Sequence, residues 1–418
     1  MASKNPYNSE EMNRLVLIGN GFDLAHGLKT SYKDFINWYW NLRVQQMSHE
    51  LTETSKDCLC SFERKDGQNW LTYAYNNFHL VCRNAPQFEQ MAISDKEIID
   101  SIISDVNNFK TSFSPFFERI RLSIETKKWV DIENEYYSLL KEYCVDNPSE
   151  SKLKELNEQL NYLQDLLLKY LTNENKKEVG VEKTIMSKIY SPIEPKDIAV
   201  EWQEGFKEYI NWCLSKEKEF WRGKMIKYND ELSLSDIDDY RKDEGNRYRY
   251  PRPFMLPDDI MLLSFNYTNT ARKYLKPGFR INYIHGELEK HESVIFGYGD
   301  ELDEDFKKIK ELENSECRKN IKSIKYQEAP NYREILQFVE SAPFQVCIMG
   351  HSCGNSDRTL LNTLFEHKNC ISIKPYFYKR DDGSDNYFDI VQNISRNFTD
   401  MKLMRDRVVN KTYCESMK

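Results

Sequence analysis

The chain has 418 residues, well beyond the roughly 150 of a typical domain, so one large elaborated domain and two packed domains are both open. Hydrophobic residues make up 40% and charged residues 30%, which excludes a disordered chain and leaves ample material for a core. A formal net charge of -8 excludes a global attraction to a phosphate backbone, so nucleic acid is not expected as a partner.

Met1 to Arg14 is polar and carries no charged-then-apolar leader, and no later stretch approaches the ~20 apolar residues that span a bilayer. The expectation is a cytosolic (cytoplasmic) protein with no membrane partner. Arg14-Leu15-Val16-Leu17-Ile18 then stops at glycine, the pattern of a strand buried on both faces of a parallel sheet. Thr30 or Ser31 caps a following helix whose apolar side is Phe35, Ile36, Tyr39 and Trp40. This is the opening β-turn-α of a doubly wound sheet.

From about residue 45 to 245 the composition shifts to Lys, Glu, Asn, Tyr and Leu with few glycines. Leu153, Leu156, Leu160, Leu163 and Leu167 recur at helical spacing, as do Trp202, Phe206, Tyr209 and Cys213. Pro192, Pro195 and the run Tyr248 to Pro253 mark loops. Strand-like runs return at Ile260 to Phe265, Asn282 to Ile284, Val294 to Phe296, Phe344 to Met349 and Ile371 to Ile373. One sheet interrupted by a helical subdomain explains this order, because two unrelated domains would leave the first βα unit without a sheet partner. Asp300 to Asp305 reads as an exposed acidic loop. The ten cysteines form no CxxC pair, and the single-residue gap of Cys58 and Cys60 is a weak metal signal; reduced, mostly buried thiols are expected.

Four strand ends carry candidate chemistry. Gly19-Asn20-Gly21 follows the first strand, where glycines let backbone approach a ligand and helix-start N–H groups favour phosphate. The third glycine, Gly27, comes three residues late for the dinucleotide GxGxxG, so this is not an ordinary dehydrogenase turn, and a tight structural turn is the alternative. Ser264-Phe265-Asn266-Tyr267-Thr268 and Ile284-His285-Gly286 end two further strands, placing Asn266 and His285 where α/β folds bind ligands. A histidine there can serve as a general base, and an asparagine can orient a hydroxyl or water. Gly350-His351-Ser352-Cys353-Gly354 ends another strand before a helix cap at Asn355-Ser356-Asp357. It also satisfies the Gly-x-Ser-x-Gly elbow of serine hydrolases, but His367 is the only later histidine and sits close to the elbow helix.

The long run from Leu17 through Gly19-Asn20-Gly21-Phe22-Asp23-Leu24-Ala25-His26-Gly27-Leu28 to Tyr32, with Trp129-Val130-Asp131-Ile132-Glu133 later, resembles the bacteriophage abortive-infection AbiH family. The resemblance covers both sheet-forming ends and part of the insertion, and implies a role in phage defence. More distantly, the motif order is similar to that of sirtuin-like NAD-binding domains. Gly19, Gly21 and Gly27 fall on their glycines, Asn266 on the motif asparagine, His285 on the catalytic histidine, and Gly350 with Ser352 on the last turn. The departures are Asp23 for serine, Lys29 for proline, Thr268 for aspartate, and His351 at a position usually small. The paired zinc cysteines of protein deacylases are absent, so a deacylase is not implied and no metal is expected.

That resemblance implies an α/β fold with a Rossmann-like, sirtuin-like parallel sheet formed by residues 1–45 and 255–418, interrupted by a mainly helical insertion over 46–254. It implies NAD, or a related nucleotide, as substrate or ligand, cleaved at the nicotinamide–ribose bond through an oxocarbenium-like transition state. The nucleotide-binding residues would be Gly19, Asn20, Gly21, Phe22, Gly27, Gly350, His351 and Ser352, with Gly19 to Gly21 on the diphosphate. Asn266 would hold ribose and water, His285 would act as base, and Asp23 would face the developing cation. Asp131 and Glu133, two apart in a helix, would diverge, so at most one should face the pocket. Two other readings stay open: a catalytically silent nucleotide-binding sensor whose insertion recognises a phage-derived activator or a second protomer of a homo-oligomer, and a hydrolase acting through Ser352.

Overall fold

The computed structural model describes residues 10–77, 94–127, 131–216, 223–224, 227–228 and 252–418. Residues 1–9, Trp129 with Val130, and Tyr248 to Pro251 lie outside the described residues. The expected first strand is β1 (Asn13–Ile18), buried at every position. The glycine turn leads into a short helix, α1 (Asn20–Ala25), and then into α2 (Tyr32–Met47). Ser31 caps α2, its hydroxyl accepting from the Asp34 N–H at 3.1 Å, and Phe35, Ile36, Tyr39 and Trp40 are buried on it as their spacing predicts.

The segment that follows holds more than helices. β2 (Thr54–Lys56), β3 (Cys60–Arg64) and β4 (Phe109–Phe113) form an antiparallel sheet in that order. Strands of three and five residues carry too little periodicity to stand out in a helix-rich composition. Helices α3 (Ile132–Lys141) and α4 (Glu150–Glu174) follow, and the leucine stripe of α4 is buried throughout. α5 (Gln203–Ser215) buries Phe206, Tyr209 and Cys213. Trp202 and Phe206 pack with Met12 and Ile371, and Ile185 and Ile189 pack with Val16 and Ile18, so this part of the chain lies on the main sheet.

The sheet resumes with β5 (Ile260–Ser264), β6 (Arg280–Tyr283), β7 (Phe344–Met349) and β8 (Cys370–Tyr376). All five strands run parallel in the order β6-β5-β1-β7-β8. Leu15 and Leu17 enter the core on one face and Val16 and Ile18 the core on the other, which is why β1 reads as an unbroken apolar run. The strand expected at Val294 to Phe296 does not form. That stretch leaves the sheet, with the Ile295 N–H held by the His285 carbonyl at 2.9 Å.

The acidic run after Gly299 is not simply an exposed loop. Asp300 is buried and pairs with Arg358 at 3.2 Å, and Asp303 caps the helix Glu304–Glu311. Two of the expected thiols are instead joined, as Cys144 and Cys317 form a disulfide across 173 residues, a pairing for which spacing gives no cue. Cys60, Cys213, Cys347, Cys353 and Cys370 are buried thiols, and Cys58 is exposed. Among the described residues no helix is long and apolar enough to cross a membrane.

Candidate functional site

β1 lies at the centre of the sheet, and the chain leaves it toward β5 on one side but leaves its neighbour β7 toward β8 on the other. Such a reversal opens a crevice beyond the C-terminal strand ends, where α/β sheets bind ligands. Here the turns after β1 and β7 interlock. The Gly19 N–H donates to Met349 O at 3.2 Å and the Gly21 N–H to Gly350 O at 2.8 Å. A Cβ on Gly19 would sit 2.5 Å from His351 Cα, one on Gly21 2.9 Å from Gly350 Cα, and one on Gly350 would overlap Phe22 N. Gly350 also has φ +75°, the left-handed region that favours glycine. These glycines are required for turn to meet turn, a closer constraint than the approach of a ligand.

Beyond the turns lies a cavity of about 770 Å³. Its wall includes Gly19, Asn20, Gly21, Asp23, Asn266, His285, Gly350, His351 and Ser352, so residues from the ends of β1, β5, β6 and β7 meet there. Two of the expected nucleotide contacts lie elsewhere. Phe22 is buried against His26 and Tyr274, with ring centroids 4.8 and 5.1 Å away, and Gly27 ends α1 at φ +80° with open space around it. The wall also carries Asp131, Glu133 and Asp357 but, among the described residues, no lysine or arginine. Both Asp131 and Glu133 face the cavity, against the expectation of divergence. The reason is that Asp131 is the extended N-cap of α3 (φ -107°, ψ 98°), accepting the Asn134 N–H at 3.0 Å, so helical spacing does not govern the pair.

Asp23 is 1% exposed, and its Oδ2 accepts the Thr268 hydroxyl at 2.6 Å while Oδ1 has no hydrogen-bond partner. Burial pushes its carboxyl up to about 6, and the polar side chains of Thr268, Thr270 and Asn266 beside it restrain the rise. Asn266 Nδ2 donates to Gly19 O at 3.0 Å, which ties the asparagine to the glycine turn.

A buried polar cluster surrounds the two histidines. The Cys353 N–H donates to His351 Nδ1 at 3.0 Å, helped by the positive φ of Cys353 (55°), so the proton of a neutral His351 sits on Nε2, 3.5 Å from Asp357 Oδ2. His285 Nε2 lies 3.2 Å from Asp357 Oδ1 and 3.4 Å from the Tyr326 hydroxyl. Burial holds His285 below its ordinary range, and nearby Lys322 lowers it further against the opposing pull of Asp357. Burial alone would raise Asp357, yet Lys322 and then His285 hold it well below the usual carboxylate range. A neutral His285 facing an ionised Asp357 donates Nε2–H to it and leaves Nδ1 as an acceptor. In the sequence Asp357 reads only as part of a helix cap, and Lys322 carries no signal. A lysine in a Lys/Glu-rich stretch carries no local mark of burial.

Neither of the two histidines nearest the serine elbow in sequence is free to serve as its base. Ser352 lines the cavity, but both nitrogens of the adjacent His351 are engaged, and His367 pairs with Glu340 at 3.3 Å away from it. Among the described residues no three His, Cys, Asp or Glu side chains are grouped to hold a metal ion.

A family model described as Bacteriophage abortive infection AbiH matches residues 15–378, a span running from the central strand through the last one. No curated protein and no solved structure matches the chain. With its first glycine turn, its insertion and its later strand ends all inside that span, the chain belongs to the AbiH family of bacteriophage abortive infection.

Proposed function

We propose that this protein acts in abortive infection by binding NAD or a related nucleotide and hydrolysing it at the N-glycosidic bond between base and ribose. The observation that carries the reading is the convergence of Asp23, Asn266 and His285 on one cavity, from residues far apart in sequence. Breaking that bond places positive charge on the ribose, and Asp23 and Asp131 on the wall, which no lysine or arginine among the described residues pairs, favour such a cation. Asp23, with a carboxyl near 6, is mostly ionised at pH 7 and faces the charge. Asn266 orients the ribose hydroxyls or the attacking water, and His285 accepts a proton at Nδ1.

The support lies at the ribose end of the ligand. The N–H groups of Gly19, Gly21 and Phe22 bond within the chain, the last to Gly19 O at 2.9 Å, so the turn offers few free donors to a diphosphate. The test is to incubate the purified protein with NAD and measure free nicotinamide. Asn266→Ala and His285→Ala should each lower release by about 10²- to 10⁴-fold, the usual worth of a positioned acid–base or orienting group. Tight NAD binding with no release would establish the silent sensor instead. Release that survives both substitutions but is lost in Ser352→Ala would establish the serine hydrolase.

A further inference from the structure

A histidine works as a base only if the correct nitrogen is free, and for His285 that choice is made outside the glycine turns. Asp357, on the turn before the helix α6 (Arg358–Phe365), faces Nε2 of both cavity histidines. A carboxylate desolvated there is costly unless compensated. Lys322, 1% exposed, compensates it: its Nζ lies 2.9 Å from Asp357 Oδ1 and 2.9 Å from Glu133 Oε2. The other oxygen of Glu133 accepts the Gly297 N–H at 3.1 Å, so this carboxylate is anchored at both ends. The contacts thus run without a break from α3, through the stretch between β6 and β7, to the histidines at the sheet edge.

We infer that Lys322 is a positioning residue, clamped between Glu133 and Asp357, that keeps Asp357 as acceptor of the His285 Nε2–H and so presents Nδ1 to the substrate. This deepens the proposed function and rests on His285 being its base. It also makes Glu133, from the segment between α2 and β5, part of the apparatus that sets the base, so the site is complete only with that segment docked. The charged and titratable groups facing His285 are Lys322, Asp357, His351, Tyr326 and Tyr267, with Glu133 one contact further away. Removing the lysine removes the cation that opposes protonation of His285 and leaves the carboxylate that favours it.

The test is two-bond ¹H–¹⁵N correlation of the histidines in the full ¹⁵N-labelled chain, read against pH. In the wild type, neutral His285 should carry its proton on Nε2; a proton on Nδ1 would overturn the inference. In Lys322→Met the imidazolium form should persist to higher pH, its titration moving up by about one unit or more, with the acid limb of NAD turnover moving alongside. The double variant Lys322→Met, Glu133→Gln loses one charge of each sign and provides the same readout should the single variant not fold. An unchanged His285 titration in a folded variant would make Lys322 merely structural and overturn the inference. If the tautomer and titration behave as expected while the wild type releases no nicotinamide, the NAD reading fails and the positioning of His285 stands.

Discussion

The Thr268 hydroxyl donates to Asp23 Oδ2 at 2.6 Å, across 245 residues of sequence. The bond ties the segment after β5 to α1 and holds the carboxylate beside the glycine turn.

Asp23 should therefore be stabilising to remove and costly to function. Its carboxyl rises from 3.8 to about 6 on burial, so the unfolded chain loses its proton first. Stability falls as pH rises from about 4 to 6 and stays lowered above that, by ~3 kcal/mol at most. Asp23→Asn should recover much of this at pH 7 and almost none below pH 4, while nicotinamide release falls. Denaturant melts at the two pH values check it, and an equal gain at both would refute the account.

Two glycines with similar backbone angles should respond differently to alanine. Gly27 has φ +80° with nothing within 4 Å of an added Cβ, so Gly27→Ala should cost only the left-handed strain, ~1 kcal/mol, and leave nucleotide binding intact. Gly350→Ala adds an overlap with Phe22 N to the same strain and should cost ~3 kcal/mol or more, separating the two turns. Chemical denaturation of both variants with NAD titrations decides it. Loss of binding in Gly27→Ala at near-normal stability would restore Gly27 as a ligand contact.

The disulfide offers a third measurement. Cys144 follows α3 and Cys317 lies between β6 and β7, so the bond ties the Glu133-bearing region to the stretch carrying Lys322. Reduction, or Cys144→Ser, should lower stability by ~2–5 kcal/mol. Melting curves identical with and without reductant would mean that the bond does not form in solution.

Arg14 should be intolerant of change. It is 1% exposed in the central strand, and its guanidinium donates to Ile189 O at 2.8 Å, Ser191 O at 2.7 Å and Gln345 Oε1 at 2.8 Å. Arg14→Met leaves those acceptors buried and unpaired, an expected loss of ~3–5 kcal/mol by urea titration. A loss below 1 kcal/mol would show that the segment around Ile189 and Ser191 is not held this way.

Much of this was legible in the sequence, for identifiable reasons. β1, β5 and β7 are buried on both faces and so appear as unbroken apolar runs, and α4 carries its leucines at a spacing only a helix explains. Asn266 and His351 could be placed at strand ends because each follows such a run by two residues, and His285 follows the shorter, partly exposed β6 by the same interval. What escaped depends on contacts between distant segments. Lys322 and Glu133 look like surface residues until they are seen 2.9 Å apart and desolvated. Helical spacing makes Asp131 and Glu133 diverge, but the helix start falls between them and both reach the cavity. Val294 to Phe296 is as apolar as a strand, but its Ile295 N–H is taken by His285 O rather than by a sheet neighbour.

The interlocked turns also set an order of events during synthesis. β1 leaves the ribosome long before its two sheet neighbours, β5 and β7. Until Phe344 to Gly350 has been made, the Gly19-Asn20-Gly21 turn has no surface to close against and the wall of the cavity is missing one side. A chain cut short of Gly350 therefore cannot close this wall, because the Gly19-Asn20-Gly21 turn has nothing to meet.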